Sequence, residues 1–399
     1  MPTVLLSYSF TNFHSFAEKA SVSLSLTQRE TVNGWDRASS SGQRTTTALA
    51  VFGANGAGKT SLIKVPAFIA WFIQNSFSLP PDAQLPFMPH MAHQDEPTEF
   101  EIEADGEHGW RWKYVLRATP QRVLFEALYR RNVIPGDRYG YVFTREWKDG
   151  AYLVRQQGFG LAESEAAKVR PNVSLIAWGR QYGAELAVHV ANFHAATNVN
   201  VLGRVLNTEA ELFSAASYFS GDATIKDNMR ALLKAWDLGL SDITLKNVEV
   251  PGADGSAATQ RWYPMGIHQS DGTEFELPFV LESSGTQTAF ILLWRLLPIL
   301  ATGGLAFIDE LENDLHPYMI EPLLRLFHDK STNPHGAQIV FTCQSPEILK
   351  TLLRAQVMFV EKADCLSTAY RGDTIAGLTG AHNLYAKYVI GALGAVPQL

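Results

Sequence analysis

The sequence predicts an α/β fold, in which an N-terminal antiparallel β layer leads into a core whose two halves are separated by a large inserted lobe. Three observations carry that reading. A short apolar strand, Ala48–Phe52, runs into a glycine-rich turn and a helix from about Lys59. A second apolar strand, Leu305–Ile308, follows roughly 250 residues later and ends in two adjacent carboxylates. Between them, strand-like runs with turn signals give way to alanine-rich helical segments and then to strands again. The core is therefore expected from residues 1–75 and 241–399, with 76–240 as the inserted lobe of antiparallel strands followed by helices.

The elements follow in order. Val4–Phe10 and Ala20–Leu26 alternate as strands, around a turn at Asn12–Phe16. Asp36–Thr47, rich in Ser, Thr and Gly, reads as a loop, and the polar, proline-containing Ser78–Pro97 as an exposed excursion. Glu99–Glu103, Trp110–Arg117, Val123–Arg130, Tyr139–Glu146 and Ala151–Gln156 read as an antiparallel sheet, and Glu163–Leu238 as helical. Strands are expected again at Ile243–Val250, Arg261–His268 and Glu274–Leu281. Then come a helix over Thr286–Leu300, one near Pro317–His328, strands Gln338–Phe341 and Val357–Glu361, and a helix near Asn383–Val389.

Composition narrows the class. Of 399 residues, 46% are hydrophobic and 18% charged, ordinary for a globular protein with a filled core. A net charge of −7 confines any nucleic-acid contact to a local patch. Arg130, Arg131, Arg138, Arg145 and Lys148 are the one candidate, against the plainer reading of a solvated hairpin surface. Cys343 and Cys365 suggest neither a disulfide framework nor a zinc site. His90, His93 and Asp95 read as an exposed polar loop rather than a metal site. The apolar runs Leu62–Ile73 and Ala289–Ala301 are interrupted and fall short of the ~20 residues a bilayer helix needs. Met1–Phe10 lacks the pattern of a signal peptide, so a cytoplasmic protein without membrane contact is expected.

Gly53-Ala54-Asn55-Gly56-Ala57-Gly58-Lys59-Thr60 is a complete G-x-x-x-x-G-K-[ST] motif between strand and helix. Glycines let backbone N–H groups turn inward around a phosphate, and the helix start adds partial positive charge. Gly53, Asn55, Gly56, Ala57, Gly58 and Ser61 would then line a nucleotide phosphate site. Lys59 would pair with the β- and γ-phosphates, and the Thr60 hydroxyl would hold Mg²⁺. In Leu305–Glu310, Asp309 would meet Mg²⁺ through water and Glu310 would polarise the attacking water. Two carboxylates at a strand end are costly unless a cation is near. Ser283-Ser284-Gly285-Thr286, before a helix, reads by itself as a cap or a weak anion site.

Together, Gly53–Thr60, Ser283–Thr286, Ile308–Glu310 and Leu315-His316-Pro317 resemble the ABC-class ATPases related to SMC and overcoming-lysogenisation-defect proteins. More narrowly, the chain resembles the bacterial AAA-type ATP/GTP-binding ATPases of that class. Phe10–Phe16 is similar to their N-F-R-S-F opening, and Tyr388–Gly391 with Gly394–Pro397 to their ending. The resemblance implies an ABC-type core binding ATP and Mg²⁺. It implies a homodimer or higher homo-oligomer, in which Ser283 and Gly285 of one copy reach the γ-phosphate held by the other. His316 would position the dimer-facing loop. Tyr8, Phe10 and Phe13 read as core rather than adenine-stacking residues.

Departures from the family pattern bear on rate. His14 stands where an arginine usually reaches the phosphates. Gln344 stands where a histidine usually meets the γ-phosphate; glutamine donates a hydrogen bond but cannot be charged. Gln94 and Gln181 are the candidates for the family's lobe glutamine. The resemblance implies an ATP-hydrolysing switch, with Glu310, Lys59 and Gln344 at the chemistry, controlling an effector such as a TOPRIM- or HNH-type nuclease in anti-phage defence. The rival readings are a DNA-repair or chromosome-maintenance ATPase and a slowly hydrolysing, ATP-bound scaffold.

Overall fold

Side-chain alternation builds the first layer. β1 (Val4–Thr11) buries Tyr8 and Phe10 on one face and pairs antiparallel with β2 (Ala20–Ser23). The computed structural model describes residues 3–28, 30, 32, 34–106, 109–134, 136–205, 207–250, 259–380 and 382–395. Met1, Pro2, Val396 and Pro397, which enter the readings of the two chain ends, lie outside them. The stretch expected as loop contains a hairpin, β3 (Asp36–Ala38) with β4 (Arg44–Thr46). There Arg44 Nε donates to Asp36 at 2.9 Å, a cross-strand pair that its Ser- and Thr-rich composition concealed. β5 (Ala48–Gly53) is buried at every position, and α1 (Lys59–Asn75) follows.

β6 (Thr98–Asp105), β7 (Trp110–Thr119), β8 (Arg122–Asn132), β9 (Gly140–Lys148) and β10 (Ala151–Gln156) form an antiparallel meander. It joins the first layer through β6 and β1, giving a seven-stranded sheet in the order β10-β9-β8-β7-β6-β1-β2. Three short helices come next: α2 (Glu163–Ala166), α3 (Leu175–Gln181) and α4 (Glu185–Ala191). β11 (Ala195–Thr197) interrupts the stretch expected to be helical.

The chain then forms α5 (Glu209–Ser220), α6 (Ala223–Ala235), β12 (Asp242–Val250), β13 (Thr259–Ser270), β14 (Thr273–Pro278) and α7 (Ser284–Thr302). β15 (Leu305–Ile308), α8 (Pro317–His328), β16 (Gln338–Thr342), β17 (Val357–Ala363), β18 (Leu366–Arg371) and α9 (Leu384–Val389) complete it. A six-stranded sheet in the order β11-β15-β16-β5-β17-β18 is parallel except at β18. Among the described residues, no helix is long and apolar enough to cross a membrane.

Two compact units emerge. The first comprises the chain up to Arg204, Ile299–Leu311 and the chain from Leu324 onward; the second comprises Val205–Pro298 and Glu312–Leu323. The core of the first surrounds α1. Phe68 on α1 meets Phe100 on β6 at 5.3 Å between ring centroids, while Leu62, Ile63 and Val65 join one cluster with residues of β5, β15 and β16. The second unit packs α5 on the β12-β13-β14 sheet, with Phe219, Phe279 and Phe290 in edge-on and tilted contact. Its α5 is opened by a capping box between Thr208 and Glu211.

The basic cluster expected on the surface loses its central member. Strand alternation on β9 points Arg145 inward with Phe143, and both are 0% exposed. Arg145 donates to the carbonyls of Val173 (2.7 Å), Arg170 (2.7 Å) and Val169 (3.2 Å), and faces Glu126 at 3.6 Å. Arg130 and Arg131 lie over the rings of Trp110 and Tyr139. Glu126 in turn accepts from Tyr114, Ser174 and the Leu175 amide. Replacing Glu126 with leucine leaves a buried guanidinium without its counter-charge, so urea unfolding is expected to lose ~3–5 kcal/mol. A loss under ~1 kcal/mol would mean that water reaches the pair.

Candidate nucleotide-binding site

The carboxyl ends of β5, β15 and β16 lie side by side, and ligand sites of parallel sheets form at such ends. Beyond β5 the chain must turn tightly into α1. A Cβ on Gly53 would stand 2.4 Å from the Val360 carbonyl oxygen, and one on Gly58, whose φ is +109°, would stand 2.8 Å from the Ser15 and Ser367 hydroxyls. Lys59 is buried and folds back over the turn, donating to the carbonyls of Gly53 (2.8 Å) and Ala54 (3.1 Å). Asn55 and Gly56 are exposed, Ala57 is buried, and Ser61 closes the first turn of α1 by donating to the Gly58 carbonyl.

The acidic end meets this loop directly. Asp309, 3% exposed, accepts from the Thr60 hydroxyl at 2.9 and 3.1 Å and from the Thr342 hydroxyl at 2.7 Å. Thr342 Oγ1 also accepts the Glu310 amide at 2.7 Å, so one hydroxyl on β16 ties both acidic residues. Asn198, just past β11, exchanges two hydrogen bonds with the Asp309 backbone, at 2.7 and 2.8 Å. Glu310 has a left-handed backbone, φ +49°, uncommon for a residue with a side chain. Its two oxygens face Gln344 Nε2 at 3.3 Å and Arg204 Nε at 3.4 Å.

Asn55, Gly56, Gly58, Lys59, Thr60, Ser61, Asp309, Glu310, Thr342 and Gln344 line a cleft of about 780 Å³ that also takes in His14, Ser15, Met88–Ala92, Lys362 and Cys365. Part of the excursion read as exposed thus forms a wall. Asn12, 3% exposed, fixes that wall by donating to the carbonyls of His93 and Glu96 and accepting the His90 amide. Gln94 and Gln181 are exposed and do not line the cleft. Tyr8, Phe10 and Phe13 are each 1% exposed, in the core.

Ser283 and Gly285 belong to the second unit. Ser283 caps α7, its hydroxyl accepting the Thr286 amide at 3.1 Å. A Cβ on Gly285 would stand 2.8 Å from the Asp314 carbonyl oxygen, so close approach to the segment after β15 requires glycine there. His316 lies in that segment, its ring 5.2 Å from that of Tyr318.

Sequence reasoning missed Asn198, Arg204 and the wall at Met88–Ala92. Only their place beside the strand ends marks them. The one available signal was Thr342, which ends a buried strand next to the phosphate loop.

The fold and the cleft define a P-loop nucleotide-binding protein. Residues 49–350, about three quarters of the chain, match the family described as "AAA domain, putative AbiEii toxin, Type IV TA system", and the chain belongs to that family. No curated protein matches. Among solved structures it is similar to an Smc head domain with a coiled coil and joint from Pyrococcus yayanosii, at 10% identity over 98% of this chain and 99% of that one, TM-score 0.46. The SMC head domain from Thermotoga maritima gives 13% identity over 92% and 98%, TM-score 0.42. The recombination mediator protein RecF bound to ATP gives 9% over 86% and 94%, TM-score 0.38. Each likeness is distant.

His14 sets a pH dependence. Burial, reinforced by Lys64, lowers its pKa from 6.5 to about 4. As pH falls below 6.5 the unfolded chain takes up a proton that the folded chain refuses, so this ring costs stability increasingly between 6.5 and about 4. Above 6.5 it costs nothing by this route. His14→Gln is expected to flatten the fall of the urea midpoint across that window relative to wild type; parallel curves would mean that the ring is charged in the fold.

Proposed function

We propose that this protein is a Mg²⁺-dependent ATPase that works as a switch: two copies close around two ATP molecules and reopen after hydrolysis, controlling an effector protein. The observation that carries the reading is the junction of Lys59, Thr60, Asp309 and Glu310 in one cleft at adjacent parallel strand ends.

The donor set suits a hard divalent cation. The Thr60 hydroxyl and a buried Asp309 carboxylate are oxygen ligands, and Thr342 orients the carboxylate. Mg²⁺ held there would neutralise charge on the β- and γ-phosphate oxygens. Lys59, now bonded to two carbonyls of its own loop, would turn its ammonium to the same oxygens. Asn55, Gly56, Gly58 and Ser61 would supply backbone and side-chain donors around the phosphates. Glu310 would accept the proton of the attacking water as its oxygen bonds to the γ-phosphorus and ADP leaves. Gln344, within hydrogen-bond reach of Glu310, would orient that carboxylate or the γ-phosphate.

The two-copy part rests on Ser283 and Gly285. They open a 19-residue helix, with Ser283 exposed and Leu281 beside it 67% exposed. A helix start next to an exposed apolar side chain suits contact with a phosphate held by a second copy. Control of a nuclease in anti-phage defence follows from the family resemblance carried by the motifs.

A second reading, slow turnover with ATP held as a structural ligand, is favoured by Gln344, which cannot relay a proton. Two variants separate them. Glu310→Gln is expected to bind ATP, to run at dimer mass or above by light scattering, and to lose turnover by ~10²-fold or more. Gln344→His is expected to raise turnover by about tenfold if proton transfer limits the rate. A Glu310→Gln protein that stays monomeric with ATP removes the switch.

A further inference from the structure

A second cavity lies behind the phosphate loop. One turn beyond Thr60, Lys64 carries its side chain into the first unit and is 8% exposed. Burial lowers its pKa, and Asp309 opposes the shift from beyond ion-pair range. Nζ donates to the Val201 carbonyl at 2.9 Å. An ammonium has three donors, and among the described residues this one makes no ion pair and no second hydrogen bond. Next to it, His14 Nε2 is buried with no hydrogen-bond partner among the described residues. Both residues line a cavity of about 370 Å³, whose other walls include Phe13, Phe68, Trp71 and Leu79. It shares His14 alone with the nucleotide cleft.

The chemistry of these walls selects a ligand. A buried cation with spare donors is costly and is relieved by an anion that accepts from it. Aromatic and aliphatic walls with a few converging polar atoms are the make-up of a small-molecule site, and this volume lies at the small end of that range. One cation faces the cavity, and the Asp309 carboxylate lies beyond it, so a single negative charge is matched and a polyphosphate is not. We propose that this cavity binds a small, flat aromatic monocarboxylate. Its rings pack against Phe68 and Trp71, and its carboxylate accepts from the Lys64 ammonium and the His14 imidazole N–H. The cavity is thus a ligand site distinct from the nucleotide cleft, with which it shares only His14.

The test is calorimetric titration of the full chain with naphthalene-2-carboxylate and its neutral isostere naphthalene-2-carboxamide, each with and without a non-hydrolysable ATP analogue and Mg²⁺. The acid is expected to bind one to one, about tenfold tighter than the amide, whether or not the analogue is present. Lys64→Met is expected to erase that preference, and Trp71→Ala to weaken both compounds several-fold. Trp71→Ala decides the matter alone if Lys64→Met does not give a cooperative melt. Equal affinity of acid and amide, displacement of the acid by the ATP analogue, or unchanged binding in Trp71→Ala would each overturn the proposal.

Discussion

Everything at the cleft hangs on one buried carboxylate. Asp309 lies among apolar strands, where an ionised acid without partners would cost several kcal/mol. The fold meets that cost with hydroxyls from Thr60 on α1 and Thr342 on β16, while Asn198 pairs with the Asp309 backbone. Thr60 is 249 residues from Asp309 in sequence, Asn198 is 111 and Thr342 is 33. The hydrogen bonds of one residue, through its side chain and its backbone, therefore fix the mutual positions of the phosphate loop, the acidic strand, its neighbour and the segment after β11. The left-handed turn at Glu310 belongs to the same lock, because Thr342 holds the amide of the residue that turns.

What the sequence made legible was local. The phosphate loop, the strand before it and the helix after it are adjacent in the chain, and glycine, lysine and threonine have few other uses at that spacing. The acidic strand was legible because four apolar residues before two carboxylates contradict each other unless a site is built there. Burial and alternation likewise gave the meander from β6 to β10. The rest depended on partners far away in the chain. β11 is three residues long and exists through pairing with β15. The β3–β4 hairpin is held by one ion pair among residues whose composition reads as loop. Arg145 looked solvated because it is charged, and is buried because three carbonyls and Glu126 wait beneath β9. Asn198, Arg204 and Lys64 carry no motif at all.

The two units differ in what holds them. In the first, α1 is enclosed by apolar residues of both sheets. The second relies on a capped helix, a cluster of three phenylalanine rings and the ion pair of Arg295 with Glu211. Gly285 serves both packing and exposure there, since its lack of a side chain lets the backbone near Asp314 pass under a helix start that stays open to solvent.

The neighbours of β5 have a consequence for how the chain is made. β5 ends at Gly53, and its two sheet partners begin at Gln338 and Val357. At ~5–20 residues per second, a ribosome takes about 15 to 60 seconds to supply the first of them. The antiparallel strands from β1 to β10 are finished long before, and their pairings are mostly between consecutive segments, which close at low entropic cost. The nascent chain thus offers α1 an antiparallel platform first, while β5 waits with a fully apolar edge unpaired. The nucleotide cleft is completed late, and a chain arrested before β16 carries a complete phosphate-loop sequence with neither sheet partner of β5.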